Sequence, residues 1–156
     1  MLDAGDRAPE FSLPDDAGTP VSLTSLLHQG PLILYFYPGD FTPVCTREAC
    51  MVRDLHGELA EAGLAVAGLS PDSPEKHRLF KERHHLEHTL LADQEKTVIR
   101  MYGVEGFLKF GVRRASFLID PSGSIRDVVR ADLRVGRHEE FLRRAILLRD
   151  ELRQKR

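Results

Sequence analysis

The sequence predicts an α/β fold: a central mixed β-sheet flanked by helices, with a β-hairpin at its N-terminal end. Three observations carry that reading. Two short apolar runs, residues 32–37 and 64–69, have the length and β-rich content of buried strands. Each is followed by a helix-start signal, Thr42-Pro43 and Ser73-Pro74, with a hydroxyl residue before a proline at the first helical position. Strand, helix and strand in that order make parallel neighbours joined by a crossover. Further on, residues 114–120 and 124–130 flank Pro121-Ser122-Gly123, the pattern of an antiparallel pair.

Taken in order, residues 1–10 form a lead-in. Phe11-Ser12-Leu13 and Val21-Ser22-Leu23 flank Asp15-Asp16-Ala17-Gly18, a hairpin with a glycine-containing turn. Residues 24–28 make a short helix ending at Gly30. The helix after Thr42 keeps Ala49, Val52, Leu55 and Leu59 on one apolar face and ends at Ala62-Gly63. The helix opened by Ser73 turns Leu79 and Phe80 inward. Residues 89–92 are a short strand, 97–102 a short helix stopped by Gly103, and 105–112 a loop. The last helix spans about 137–152, with Phe141, Ala145, Leu148 and Leu152 as its apolar stripe. Its surplus of eight Lys or Arg over four Asp or Glu across residues 134–156 reads as a solvated face. With no linker and no internal repeat, residues 1–156 read as a single domain.

Composition narrows the function. A net charge of −2, with 42% hydrophobic and 29% charged residues, argues against a nucleic-acid or membrane partner. No apolar run approaches a membrane span, and the opening residues lack the apolar core of a secretory signal, so a cytoplasmic location is expected. The two cysteines, Cys45 and Cys50, are too few for a disulfide scaffold and read as catalytic or metal-binding. No Cys-x-x-Cys pair or nearby histidine completes a metal set around them. His84 and His88, one helical turn apart, have no third ligand and are read as an exposed face.

Cys45 falls in the first turn of the helix begun by Thr42-Pro43. A helix start offers partial positive charge and unpaired N–H groups. Both favour the thiolate, which is the nucleophile. The preceding strand delivers Cys45 to the carboxyl end of a sheet strand, where open α/β sheets bind ligands.

Pro38, Thr42 and Cys45 fit a Pro-x-x-x-Thr-x-x-Cys motif, and the chain here resembles the peroxiredoxins. The longer run from Phe36-Tyr37-Pro38 through Cys50 and Arg53-Asp54 is similar to the Q-type subgroup, the bacterioferritin comigratory proteins. Two positions depart from it: Val44 stands where that subgroup usually has Gly, and Met51-Val52 where Gly-Phe is common. The first bears on pocket shape and on how easily the helix start unwinds. The resemblance extends from about Asp6 to the final helix.

That resemblance implies a thioredoxin-like fold and a thiol-dependent peroxidase acting on hydrogen peroxide and organic hydroperoxides. It implies no metal, haem or flavin, recycling by thioredoxin or a similar dithiol, and a monomer or weak dimer. Cys45 is then the peroxidatic residue, and Cys50 resolves it through an intramolecular disulfide. An arginine just before a strand reaches the cysteine. Arg114 fits the register, Arg113 competes, and strand alternation lets only one point inward. Thr42 acts through its hydroxyl or serves as a plain N-cap. Pro38 shapes the pocket or simply ends the strand. Glu48 orients Arg114 or is a solvated helical residue. The competing class is a disulfide-exchange protein or redox sensor of similar fold. Against exchange stands the Cys-x4-Cys spacing, where such proteins use Cys-x-x-Cys.

Overall fold

The protein is described by a computed structural model covering residues 2–109 and 111–149. A small antiparallel hairpin comes first, β1 (Ser12–Pro14) and β2 (Pro20–Ser22). Its turn closes through Gly18 N–H donating to the Asp15 carbonyl at 3.0 Å, with Gly18 at φ +82°. The Asp15 carboxylate accepts from the Ala17 and Thr19 amides, a local bond that favours turns. Helix α1 (Leu23–Leu27) follows behind a reciprocal cap between Ser22 and Ser25.

The main sheet has five strands in the order β5-β4-β3-β6-β7. Strand β3 (Leu32–Phe36) is central, parallel to β4 (Ala65–Ser70) and antiparallel to β6 (Ala115–Ile119). Strand β5 (Thr89–Ala92) extends the parallel edge, and β7 (Ile125–Arg130) returns antiparallel to β6. Every residue of β3 is buried, yet its side chains still alternate. Leu32, Leu34 and Phe36 enter one core with Leu69, Tyr102 and Phe117, while Ile33, Tyr35 and Tyr37 enter the other with Cys45, Leu59 and Phe141. A strand covered on both faces has no polar side to show. This is why its sequence reads as one apolar run.

Helix α2 (Pro43–Asp54) carries both cysteines. It ends sooner than its apolar periodicity predicts. Leu55 takes φ −92° and ψ 0°, and a separate helix, α3 (His56–Glu61), begins after it. Ala49, Val52, Leu55 and Leu59 are nevertheless all buried, so the face survives the break. Helix α4 (Pro74–His84) is capped by the Ser73 hydroxyl, which accepts from the Lys76 amide. Phe80 is buried as expected, but Leu79 is 56% exposed, and the second inward residue is His77. The helix stops where His85 turns left-handed at φ +54°. His84 and His88 therefore do not share one helical face, and His88 is buried rather than exposed.

Helix α5 (Thr97–Met101) is stopped at Gly103, φ +71°. The loop beyond it contains a short 3-10 turn, Phe107–Lys109, and a bridge between Glu105 and Val112. Helix α6 (Val135–Leu147) buries His138, Phe141, Leu142 and Ala145. Leu148 lies outside that stripe and is half-exposed, and Leu152 falls outside the described residues. Among the described residues no helix is long and apolar enough to cross a membrane.

Candidate active site

The end of β3 and the start of α2 build the site. After Phe36, the segment from Tyr37 to Phe41 turns the chain from the sheet into the helix, and Phe41 sits at φ +66°. A left-handed conformation is uncommon for a bulky residue and costs of order 1–3 kcal/mol. Aromatic packing holds it: the Phe41 ring meets Phe80 of α4 edge-on, with centroids 5.1 Å apart.

Thr42 is the N-cap by backbone geometry, φ −78° and ψ 149°, with Pro43 at the first helical position. Its hydroxyl does not cap the helix. It donates instead to the Gly39 carbonyl at 3.0 Å. The first-turn amides of α2 thus receive no bond from Thr42, and they remain free to favour an anion. Thr42 and Pro38 both lie exposed on the rim of the turn.

Cys45 is 2% exposed and points into the core on the stripe Cys45, Glu48, Ala49 and Val52. The spacing places Glu48 one turn beneath the sulfur. Arg114 comes from the residue before β6 and is buried beside them. Its Nη2 donates to Cys45 Sγ at 3.0 Å, its Nη1 to Glu48 Oε1 at 2.5 Å, and its Nε to the Asp132 carbonyl at 2.9 Å. Every nitrogen of the guanidinium has a partner, so the fork is held in one orientation. Arg113 points the other way and forms an exposed pair with Asp132 at 2.9 Å. Cys45, Arg114 and Glu48 are thereby brought together. Cys50 is half-buried on the same helix, and both thiols are free.

The electrostatics follow from burial. Desolvation raises the Glu48 carboxyl to about 7, outweighing the attraction of Arg114. Desolvation also opposes the charge on Arg114, but Glu48 and Cys45 overcome it and hold that guanidinium above its ordinary value. Arg114 therefore stays a cation against the sulfur.

Sequence reasoning missed two buried histidines beside α2. His138 of α6 lies 3.4 Å from Glu48 Oε2, and its Nδ1 is 2.8 Å from the Ser116 hydroxyl. His77 of α4 lies with Nδ1 2.6 Å from Asp40 and Nε2 2.9 Å from the Leu91 carbonyl, while Tyr37 donates to Asp40 at 2.6 Å. The signal was present. His138 shares the spacing of Phe141, Leu142 and Ala145, and His77 is three residues before Phe80, so each histidine occupies a core position of an amphipathic helix. A surface cavity of about 520 Å³ lies elsewhere, lined by Arg7, Leu23, His28 and the turn after β6. It touches none of these groups.

A buried cysteine at a helix start, with an arginine donating to its sulfur at the end of an α/β sheet strand, defines a protein of thiol chemistry. The AhpC/TSA family model matches residues 4–128, and the chain belongs to that family, the peroxiredoxins. It is 44% identical over 147 residues to Peroxiredoxin Bcp of Escherichia coli, covering 90% of this chain and 93% of that protein. Peroxidoxin BcpB of Mycobacterium tuberculosis superimposes with a TM-score of 0.83 at 37% identity, over 94% of this chain and 99% of that one. The bacterioferritin comigratory protein of Xanthomonas campestris, whose structures concern alkyl peroxide reduction, superimposes at 0.79 with 27% identity, over 87% and 89%. The fold is the thioredoxin-like one of these peroxiredoxins, and the activity class is thiol-dependent peroxidase.

Proposed function

We propose that Cys45 is the peroxidatic residue of a two-cysteine peroxidase and that Cys50 resolves it. The observation that carries this reading is the 3.0 Å bond from Arg114 to Cys45 Sγ in the first turn of α2. Helix start and guanidinium both stabilise a thiolate. The thiolate attacks one peroxide oxygen, an S–O bond forms as the O–O bond breaks, and the other oxygen takes a proton and leaves as water or alcohol. Arg114, and the Thr42 hydroxyl once it leaves the Gly39 carbonyl, donate to the peroxide oxygens as charge develops on them, and Pro38 limits water at the rim. Glu48 orients Arg114 through their mutual bond.

The sulfenic acid on Cys45 then condenses with the Cys50 thiol, releasing water and forming a disulfide. Both residues lie within α2. Cα atoms five residues apart in an ideal helix are about 8.6 Å apart, with side chains roughly 140° apart around the axis. A disulfide needs Cα atoms within about 7 Å and converging Cβ vectors. The start of α2 must therefore unwind before the bond closes. A dithiol protein such as thioredoxin reduces the disulfide, and the helix re-forms. The whole chain acts as one domain, a monomer or weak dimer of the cytoplasm, taking hydrogen peroxide and organic hydroperoxides; the Xanthomonas campestris relative is described for alkyl peroxide reduction.

Peroxide consumption with thioredoxin, its reductase and NADPH tests the assignment. Cys45→Ser loses all turnover. Cys50→Ser still undergoes the first oxidation and stalls as sulfenic acid. Retained activity in Cys45→Ser with complete loss in Cys50→Ser reverses the roles. Hydrogen exchange tests the unwinding: residues 44–51 lose protection in the disulfide form, and equal protection in both redox states removes that step.

A further inference from the structure

Glu48 has a carboxylate oxygen that nothing on its own side of the site explains. Oε1 accepts from Arg114, whereas Oε2 is buried with no hydrogen-bond partner among the described residues. A buried unpaired carboxylate oxygen is costly unless it carries a proton or meets a donor. Nδ1 of His138 lies 3.4 Å from it, on a side chain only 1% exposed.

The other contacts of His138 restrict its protonation. Nε2 lies 2.9 Å from the Ala131 carbonyl, which only accepts, so Nε2 bears a hydrogen. In the neutral ring Nδ1 is then a lone pair, and the Ser116 hydroxyl at 2.8 Å donates to it. With that lone pair engaged by Ser116, an ionised Glu48 Oε2 meets an electron-rich nitrogen rather than a donor, away from water, which is unfavourable. One proton on either atom removes the conflict. Burial, which raises Glu48 and lowers His138, places that proton on the carboxyl.

We infer that Glu48 and His138 hold one proton between them, and that His138 is thereby a positioning residue that keeps the positive charge of Arg114 directed at Cys45. The inference rests on Cys45 reacting as the thiolate. With the proton present, the pair is neutral overall and the buried charges are Arg114 and the Cys45 thiolate, one of each sign. Without it, Arg114 lies between two anions and the thiolate has a second negative charge nearby. Other charged groups act on the pair from every side. Arg114 and Arg137 disfavour a proton on His138, and Asp132 favours it. Cys45 and Tyr35 face the same pocket. None of these gives Oε2 a hydrogen bond among the described residues; burial and Arg114 set how readily the carboxyl holds a proton, and His138 is the polar group set against Oε2 itself.

The test uses the reduced full chain in a Cys50→Ser background, where one active-site thiol reports. The thiolate fraction of Cys45 is followed against pH by ultraviolet absorbance and by the rate of alkylation. His138→Gln can still reach the Ala131 carbonyl but offers no base at the Nδ1 position. It lowers the thiolate fraction about tenfold on the rising limb, equivalent to one pH unit. In a Glu48→Gln background the same substitution changes nothing further, because the effect passes through Glu48. A second measurement needs no variant at either residue. Isotope-edited NMR of the carboxyl and imidazole shows one proton on the pair below the Glu48 midpoint. An unmoved Cys45 titration in His138→Gln, an undiminished effect beside Glu48→Gln, or an ionised Glu48 next to a neutral His138 well below the Glu48 midpoint overturns the inference. If peroxide fails to oxidise Cys45 in the parent protein, the peroxidatic assignment itself fails, and the two failures are distinct.

Discussion

Two buried histidines flank the cysteine helix, and they are satisfied to different degrees. On the α4 side, His77 has an acceptor at each ring nitrogen, and both oxygens of Asp40 are engaged, by Tyr37 and by His77. Asp40 also donates its backbone amide to Asp72. On the α6 side, His138 has partners at both nitrogens, but Glu48 beside it keeps one oxygen unpaired. The first network ties the turn before α2 to α4 and β5, with no polar group left over. The second leaves one group whose charge is close to balance at neutral pH. A fully paired buried network rigidifies, while an unpaired buried carboxylate oxygen is costly when charged and so favours uptake of a proton. The anchor thus sits under the turn that must be held, and the adjustable charge sits under the sulfur that must react.

Breaking the reactive side gives the largest effect. Arg114→Ala removes the donor on Cys45 Sγ and slows peroxide attack about 10²-fold or more, the magnitude of losing one transition-state donor. Arg113→Ala stays near the parent rate, since its exposed pair with Asp132 contributes little. Stopped-flow measurement of Cys45 oxidation separates them, and equal mild losses at both positions contradict the assignment. Breaking the anchor comes next. His77→Ala leaves Asp40 buried without its ring partner and costs about 3 kcal/mol of stability in denaturant titration. It also speeds hydrogen exchange at the start of α2, while Cys45 keeps its reactivity toward peroxide in the folded state. A parallel collapse of reactivity would mean that the two sides are not separable.

The smallest effect sharpens the comparison through pH. Glu48 has an ordinary value of 4.5 and is lifted by burial to about 7 in the fold. The native state therefore binds more protons than the unfolded chain across that interval. The contribution is complete below 4.5 and lost as pH rises through 7. Glu48→Gln flattens this fall, which is at most about 3 kcal/mol. His88 works in the opposite direction. Burial lowers it from 6.5 to about 3, so its contribution is present above 6.5 and lost as pH falls toward 3. Comparing Glu48→Gln with the parent at each pH removes the His88 contribution, and identical pH slopes in both proteins would rule out the Glu48 shift.

The sequence by itself determined the elements made by local rules. The Thr42-Pro43 and Ser73-Pro74 starts, the glycine turns at Gly18 and Gly103, and the buried strands β3 and β4 all follow from backbone chemistry and side-chain periodicity over a few residues. It also placed Cys45 at a helix start, while the peroxiredoxin resemblance favoured Arg114 over the competing Arg113 and paired Glu48 with Arg114 as one of two readings. Tertiary structure decided what depends on residues far apart in the chain. Leu79 is exposed and His77 buried because α4 presents the His77 face to Tyr37, Asp40 and Leu91. His138 meets Glu48 only when α6, ninety residues later, packs against α2 beside β6. Local propensity acts through neighbours along the chain, so it is legible in one pass. The charge of a buried group depends on what the folded chain brings against it, and no stretch of sequence contains both partners.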